Sequence, residues 1–390
     1  MRPVAFINAD MAAAGPTTLR IQGDRILERT DRAALGDLVI DLQGDRLLPG
    51  LINAHDHLQL NGFPMPEYGM RYRNASEWIA DFNARVGARE DFAASKAVSR
   101  DARLLQGGCK NLLSGVTTVA HHDPLYPGLL ADTYPVRVVE QYGWSHSLEI
   151  DGEARVQRSY LETARELPWI IHAAEGIDAA AATEFDRLEA LGCLGSNTVV
   201  VHGVALDQAR QERLVAAGAA LIWCPASNLR LFGATAAVEM LVQAGRVALG
   251  TDSRLTGARD LLDELRVAAE VAAFDNETLE SLVTDSAARV LRLTDRGVLS
   301  AGARADLLVV PARVALSKAS RQDVRLVMSG GVMRYGDRDY ARLLMPDPLQ
   351  ADIRVDDVMK VMDWRLAATL AAADTAETGV ELLNPRGRAA

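Results

Sequence analysis

The sequence predicts an α/β protein, a (β/α)8 barrel joined to a small β-sandwich formed by N- and C-terminal segments. Three observations carry that expectation. From Leu47 onward, short and wholly apolar runs alternate with long helical patterns, which is how a parallel sheet covered by helices on both faces reads. The first 46 residues, and the stretch after Gly297, read instead as short strands broken by turns. A chain of 390 residues, 49% of them hydrophobic, is long enough to bury one large barrel core with an appendage.

The elements follow in order. Val4–Ile7, Thr18–Ile21 and Leu38–Leu42 are β-rich runs punctuated by Gly23-Asp24 and Gly44-Asp45. Barrel strands are expected near Leu51–Ala54, Val116–Ala120, Val136–Glu140, Trp169–Ile171, Thr198–Val201, Ala220–Trp223 and Val247–Leu249. Helical periodicity is clearest at Ala93–Leu113, Ala154–Glu166, Ala179–Leu191, Leu206–Ala217 and Leu261–Ala273. These runs supply seven strands; a fourth strand of the barrel is either short, within Ser145–Ile150, or the barrel is irregular there. The resulting division is 1–46 plus 297–340 as the sandwich, 47–296 as the barrel, and 341–390 as a C-terminal helical extension in which Val355–Ala373 is one amphipathic segment. That extension packs either on the barrel or on a second subunit, so a homodimer stays open.

Composition excludes several function classes. With 42 Lys+Arg against 52 Asp+Glu the net charge is −10, and no basic block exists, which argues against nucleic acid or an anionic membrane as partner. The three cysteines, Cys109, Cys193 and Cys224, are far apart and form no C-x-x-C, so neither a disulfide framework nor a Cys-rich zinc site is expected. No apolar run is long enough for a spanning helix and the N-terminus does not read as a signal peptide, so a cytoplasmic protein with reduced thiols is expected. A P-loop, a G-x-S-x-G elbow, an H-E-x-x-H helix and a G-x-G-x-x-G turn are all missing.

The histidines carry the chemistry. Of the seven, His55, His57, His121, His172 and His202 fall at the C-terminal ends of apolar strands, and His122 follows directly. In an α/β barrel those ends line the active-site face. His55 and His57, two residues apart on one strand, point to the same side and can share an ion. His172, His202 and Asp252 each close an apolar run, and Glu175 follows His172 in HAAEG. Three histidines and one aspartate suit Zn²⁺, and Fe²⁺ nearly as well, which leaves one histidine and Glu175 for catalysis.

These motifs, LLPGLINAHDHL, GVTTVAHH, HAAEG, TVVVHGVALD, CPASNLRLFG, VALGTDS and GVLSAGARADLLVV, run in order across Leu47–Val310 and resemble the amidohydrolase superfamily, in particular its triazine-hydrolase and aminohydrolase (deaminase) branch. The resemblance implies a distorted TIM barrel with one divalent metal, Zn²⁺ or alternatively Fe²⁺, held by His55, His57, His172 and Asp252. It further implies that Glu175 carries a proton, that His202 touches the substrate or the attacking water, and that Asp252 orients that water. No strand offers a lysine that would bridge a second ion. The implied activity is metal-dependent hydrolysis of a non-peptide C–N bond, most directly deamination of an amino-substituted nitrogen heterocycle by metal-bound hydroxide, with hydrolysis of a cyclic amide or imidazolone as the alternative. The partner is then a small molecule. For its recognition the loops offer Gln59, His121, His122, Trp144 and Arg254, the last as an anion contact; one of the two adjacent histidines is alternatively a partner of a metal ligand.

Overall fold

The computed structural model describes residues 2–384 apart from 12–14, 16 and 374. Its first sheet contains β1 (Val4–Ile7), β2 (Thr18–Gln22), β3 (Arg25–Thr30) and β4 (Leu38–Asp41) in the order β3-β2-β1-β4. The next strand, β5 (Arg46–Pro49), leaves that sheet for a second one.

Eight parallel strands follow: β6 (Leu51–Asp56), β7 (Val116–His121), β8 (Arg137–Val138), β9 (Gly143–Ser145), β10 (Trp169–Ala173), β11 (Thr198–His202), β12 (Ala220–Trp223) and β13 (Val247–Leu249). They are buried almost throughout, as apolar runs covered by helices on the outside must be. The ladders form two arcs, β6-β7-β8 and β9 through β13. At one junction the backbone amides of Thr251 and Asp252 donate to the His55 carbonyl, and the His57 amide donates to the Asp252 carbonyl. At the other junction no ladder joins β8 to β9 among the described residues; instead the Tyr142 hydroxyl donates to the His121 carbonyl. The irregularity expected after the third strand is therefore real. The fourth strand is Gly143–Ser145, earlier than the Ser145–Ile150 stretch expected, where Leu148–Asp151 is a helical turn.

The remaining strands are β14 (Leu307–Val310), β15 (Leu326–Ser329), β16 (Val332–Gly336), β17 (Gln350–Val355), β18 (Val358–Asp363) and β19 (Val380–Leu382). With β5 they make an antiparallel sheet in the order β19-β17-β18-β16-β15-β14-β5. Phe6, Leu19, Ile21 and Ile40 of the first sheet meet Leu307, Val309, Leu326 and Met328 of the second in one buried cluster, which is the sandwich. Here the reading of 341–390 as a helical extension is corrected. Residues 350–363 form a hairpin with alternating burial, and only Trp364–Ala372 is helical over the stretch read as one amphipathic helix. The cause is local: Asp356 and Asp357 both adopt positive φ, +44° and +69°, the geometry of a tight two-residue hairpin turn. The segment packs on its own chain. Residues 385–390 lie outside those described.

Candidate metal and active site

Strand β6 places His55 and His57 on the inner side and Asp56 on the outer one, by the two-residue period of a strand. Asp56 is fully buried beneath the helix Arg100–Leu113, and Lys110 of that helix, also fully buried, sets its ammonium 3.0 Å from the carboxylate. Asn111 and Asn61 donate to the same carboxylate at 2.8 and 2.7 Å, and Lys110 also donates to Asn61 and Thr251. This satisfied polar network fixes the backbone between the two histidines. The helix comes this close because residue 107 is glycine: a Cβ there would lie 2.3 Å from the Leu58 carbonyl oxygen.

The imidazole nitrogens then converge. Nε2 of His172 lies 3.3 Å from Nε2 of both His55 and His57, and Oδ1 of Asp252 lies 3.8 and 3.7 Å from those same two atoms. Ligands about 2.0–2.2 Å from a tetrahedral zinc stand roughly 3.3–3.6 Å apart, so the spacing fits one ion. The tautomers agree. His172 Nδ1 donates to the His146 carbonyl at 2.8 Å, and His57 Nδ1 donates to Asp123 Oδ2 at 2.8 Å, so each turns an unprotonated Nε2 toward the other when neutral. Two lone pairs facing each other at that distance require a cation, or a proton, between them. Burial alone would lower the His57 pKa, but the hydrogen bond and charge of Asp123, with Asp252, raise it to about 9. Asp252 is also held for the task. Ser227 and Thr256 donate to its Oδ2, leaving Oδ1 free, and although burial opposes its charge, His55, His202 and His57 keep its carboxyl well below the usual range.

Glu175 and His202 face the same space. Glu175 Oε1 is 3.6 Å from His202 Nε2, and burial, reinforced by the charges of Asp252 and Glu184, pushes the Glu175 pKa well up, which favours its protonated form. His202 Nδ1 donates to Asn228 Oδ1 at 2.8 Å, which leaves Nε2 as an acceptor. The backbone is bent at these points: Ala174, His202 and Asp252 adopt φ of +54°, +72° and +56°, which non-glycine residues rarely do and which is frequent at functional sites. A cavity of about 240 Å³ opens over them, walled in part by Leu60, Trp78, Ile79 and Ile150.

Of the residues expected to meet substrate, Gln59 lines this cavity and donates to Asp123. His122 stacks on His172 with ring centroids 4.4 Å apart; its Nε2 donates to the Ser145 carbonyl and its buried Nδ1 has no partner. It sits with His55, His57 and His172 in one group of donors within 4.8 Å and does not line the cavity. Trp144 packs edge-on against His122 and His146 behind the wall. Two expectations are corrected. His121 is fully buried under the H-x-H segment, near Leu58 N and the Asp56 carbonyl, because the strand turns it away from His122. Arg254 points out of the cavity into Glu377, bonding both its oxygens. Reading the sequence missed Asp123, Asn228, Ser227, Thr256 and the Lys110 network; of these only Asp123 and the CPASN stretch stood next to a motif.

Residues 153–334 match the amidohydrolase family. The chain carries an amidohydrolase-family domain. Within that matched range lie His172, Glu175, His202 and Asp252. The chain is similar to 5-methylthioadenosine/S-adenosylhomocysteine deaminases: it is 27% identical to the one from Halobacterium salinarum over 75% of this chain and 82% of that protein. It is also 27% identical to the one from Syntrophobacter fumaroxidans, over 92% and 91%. In fold it resembles the zinc complex of atrazine chlorohydrolase from Arthrobacter aurescens (18% identity, TM-score 0.68, covering 85% of this chain and 95% of that one). A zinc-bound adenosine deaminase from Xanthomonas campestris is similar too (20% identity, TM-score 0.65, 84% and 91%). No helix among the described residues is long and apolar enough to cross a membrane.

Proposed function

We propose that this protein is a metal-dependent aminohydrolase that deaminates an amino-substituted nitrogen heterocycle, with one divalent metal held by His55, His57, His172 and Asp252 inside a distorted eight-stranded barrel. The observation that carries the reading is the placement of the buried Glu175 carboxyl 3.6 Å from His202 and beside the converging donors, in surroundings that favour its protonated form. The names of the relatives support it, as does the zinc in two structural neighbours. Zinc is the ion we favour, since imidazole and carboxylate oxygen in a four-donor set suit it, and Fe²⁺ is the alternative.

A divalent metal here supplies Lewis acidity and an activated water. The chain does the rest. Glu175 donates its proton to the ring nitrogen beside the amino-bearing carbon, which makes that carbon electrophilic. His202, held as an acceptor at Nε2 by Asn228, takes a hydrogen bond from the attacking water, so of the two roles expected for it the structure favours contact with water. Of the two water protons one returns to the Glu175 carboxylate and one passes through it to the amino group; the C–N bond then breaks, ammonia leaves, and the ring carbon keeps the water oxygen. Asp252 Oδ1 orients the water while Ser227 and Thr256 hold its other oxygen. Cys109, Cys193 and Cys224 are buried and unpaired, consistent with the cytoplasmic location we favour.

The test is ammonia release by zinc-loaded protein across amino-purines, amino-pyrimidines, pterins and triazines, run beside lactams and imidazolones. Ammonia from the first group supports the reading. Turnover confined to the second group overturns it in favour of cyclic-amide hydrolysis.

A further inference from the structure

The charge of the cavity wall narrows the substrate. Asp123, Glu149, Glu175, Glu184 and Asp252 all line it, whereas no arginine or lysine does among the described residues. The cation nearest in sequence to Asp252, Arg254, is spent elsewhere. It bonds both oxygens of Glu377, which is itself 1% exposed and shared with Arg321, and it donates further to the carbonyls of Asn61 and Arg259. On neighbouring segments Arg73 pairs with Glu77 and Arg155 with Asp151, and Arg71 and Arg230 do not line the cavity. Opposite the metal donors the wall is apolar, and Glu149 and Ile150 stand exposed at the rim.

An anionic substituent entering this cavity loses its water, meets the Asp123 carboxylate and the uncharged Glu175, and finds no guanidinium or ammonium in the wall, an arrangement costly for any buried charge. We infer that the site selects amino-heterocycles that are uncharged or cationic and rejects those bearing a phosphate or carboxylate. The inference rests on the deamination reading and specifies its substrate class.

Matched pairs test it: adenosine against 5′-AMP, cytidine against 5′-CMP, and pterin against pterin-6-carboxylate. For whichever pair is deaminated, kcat/KM for the anionic member should be about 10²-fold lower or less, the scale of an unpaired buried charge. Placing a cation on the rim, by Glu149→Arg or independently by Ile150→Lys, should shrink that ratio at least about tenfold. A wild-type ratio near one, or a ratio that neither variant moves, overturns the inference. If no pair releases ammonia, the deamination reading is decided separately, by the wider panel of amino-heterocycles. Calorimetric binding of the same pairs to zinc-loaded protein then still decides the charge preference: weaker binding of the anionic members upholds it, and equal or tighter binding overturns it.

Discussion

Replacing Asp123 with asparagine should change how the metal competes with protons. In the wild type the Asp123 carboxylate accepts the Nδ1 hydrogen of His57 at 2.8 Å and raises the pKa of that imidazole to about 9. A metal must displace the proton from Nε2, so affinity falls as pH drops through 9. At pH 7 the penalty is about 10²-fold, or roughly 2.7 kcal/mol at 1.36 kcal/mol per unit. Asparagine removes the charge, so the pKa of His57 drops and most of that penalty goes. It also weakens the orientation and basicity of the ligand, which for such outer partners costs about 10–100-fold in metal affinity. The two effects oppose one another below pH 9 and separate above it. Asp123→Asn should therefore bind zinc as tightly as wild type at pH 7, or up to about tenfold tighter, and about 10–100-fold more weakly above pH 9. Competition against a chromophoric chelator between pH 6.5 and 9.5 measures both curves, and zinc hydrolysis cancels in their ratio. Parallel curves with a constant offset would refute the reasoning, because Asp123 would then orient His57 without setting its protonation.

Glu175→Gln should retain metal and thermal stability while kcat falls about 10²-fold or more, read by elemental analysis, melting and ammonia release together; a near-normal kcat makes Glu175 structural. Lys110→Met leaves the Asp56 carboxylate buried without its cation, and unfolding stability should fall by about 3–5 kcal/mol in denaturant titration. Glu377→Gln keeps the shape of the carboxylate but not its charge against Arg254 and Arg321, and about 1.5–3 kcal/mol should be lost in the same assay.

The alternation of apolar strands with helices was legible in the sequence because burial on both faces leaves a continuous hydrophobic run, and every strand read between Leu51 and Leu249 is found in place or nearly so. The gap after the third strand was legible only as a gap, since β8 and β9 have two and three residues and carry almost no pattern. The C-terminal hairpin was misread because the Asp356-Asp357 turn lacks the glycine that advertises a positive φ. For the site, residues that end strands stood out by position. Their supporting partners did not, because Lys110 and Asn228 reach the site from helices far away in sequence, and nothing local distinguishes a buried lysine from an exposed one. Arg254 shows the converse: its place two residues after Asp252 suggested the cavity, and a glutamate more than a hundred residues later turned it away.

The ladder between β5 and β14 has a consequence for synthesis. Leu48 pairs with Leu308, so β5 and its hydrophobic side chains leave the ribosome about 260 residues before the strand that covers them. At 5–20 residues per second that interval is roughly 13–50 s. Over that time the nascent chain presents β5 as an unpaired strand and the first sheet without the sheet that covers it, the kind of surface that recruits chaperones or a neighbouring chain. The eight parallel strands meanwhile emerge together, since β6 through β13 are contiguous in sequence. Ribosome-stalled chains ending before and after Val310 should differ in protease sensitivity at β5, Arg46–Pro49, and hardly at all between Leu51 and Leu249.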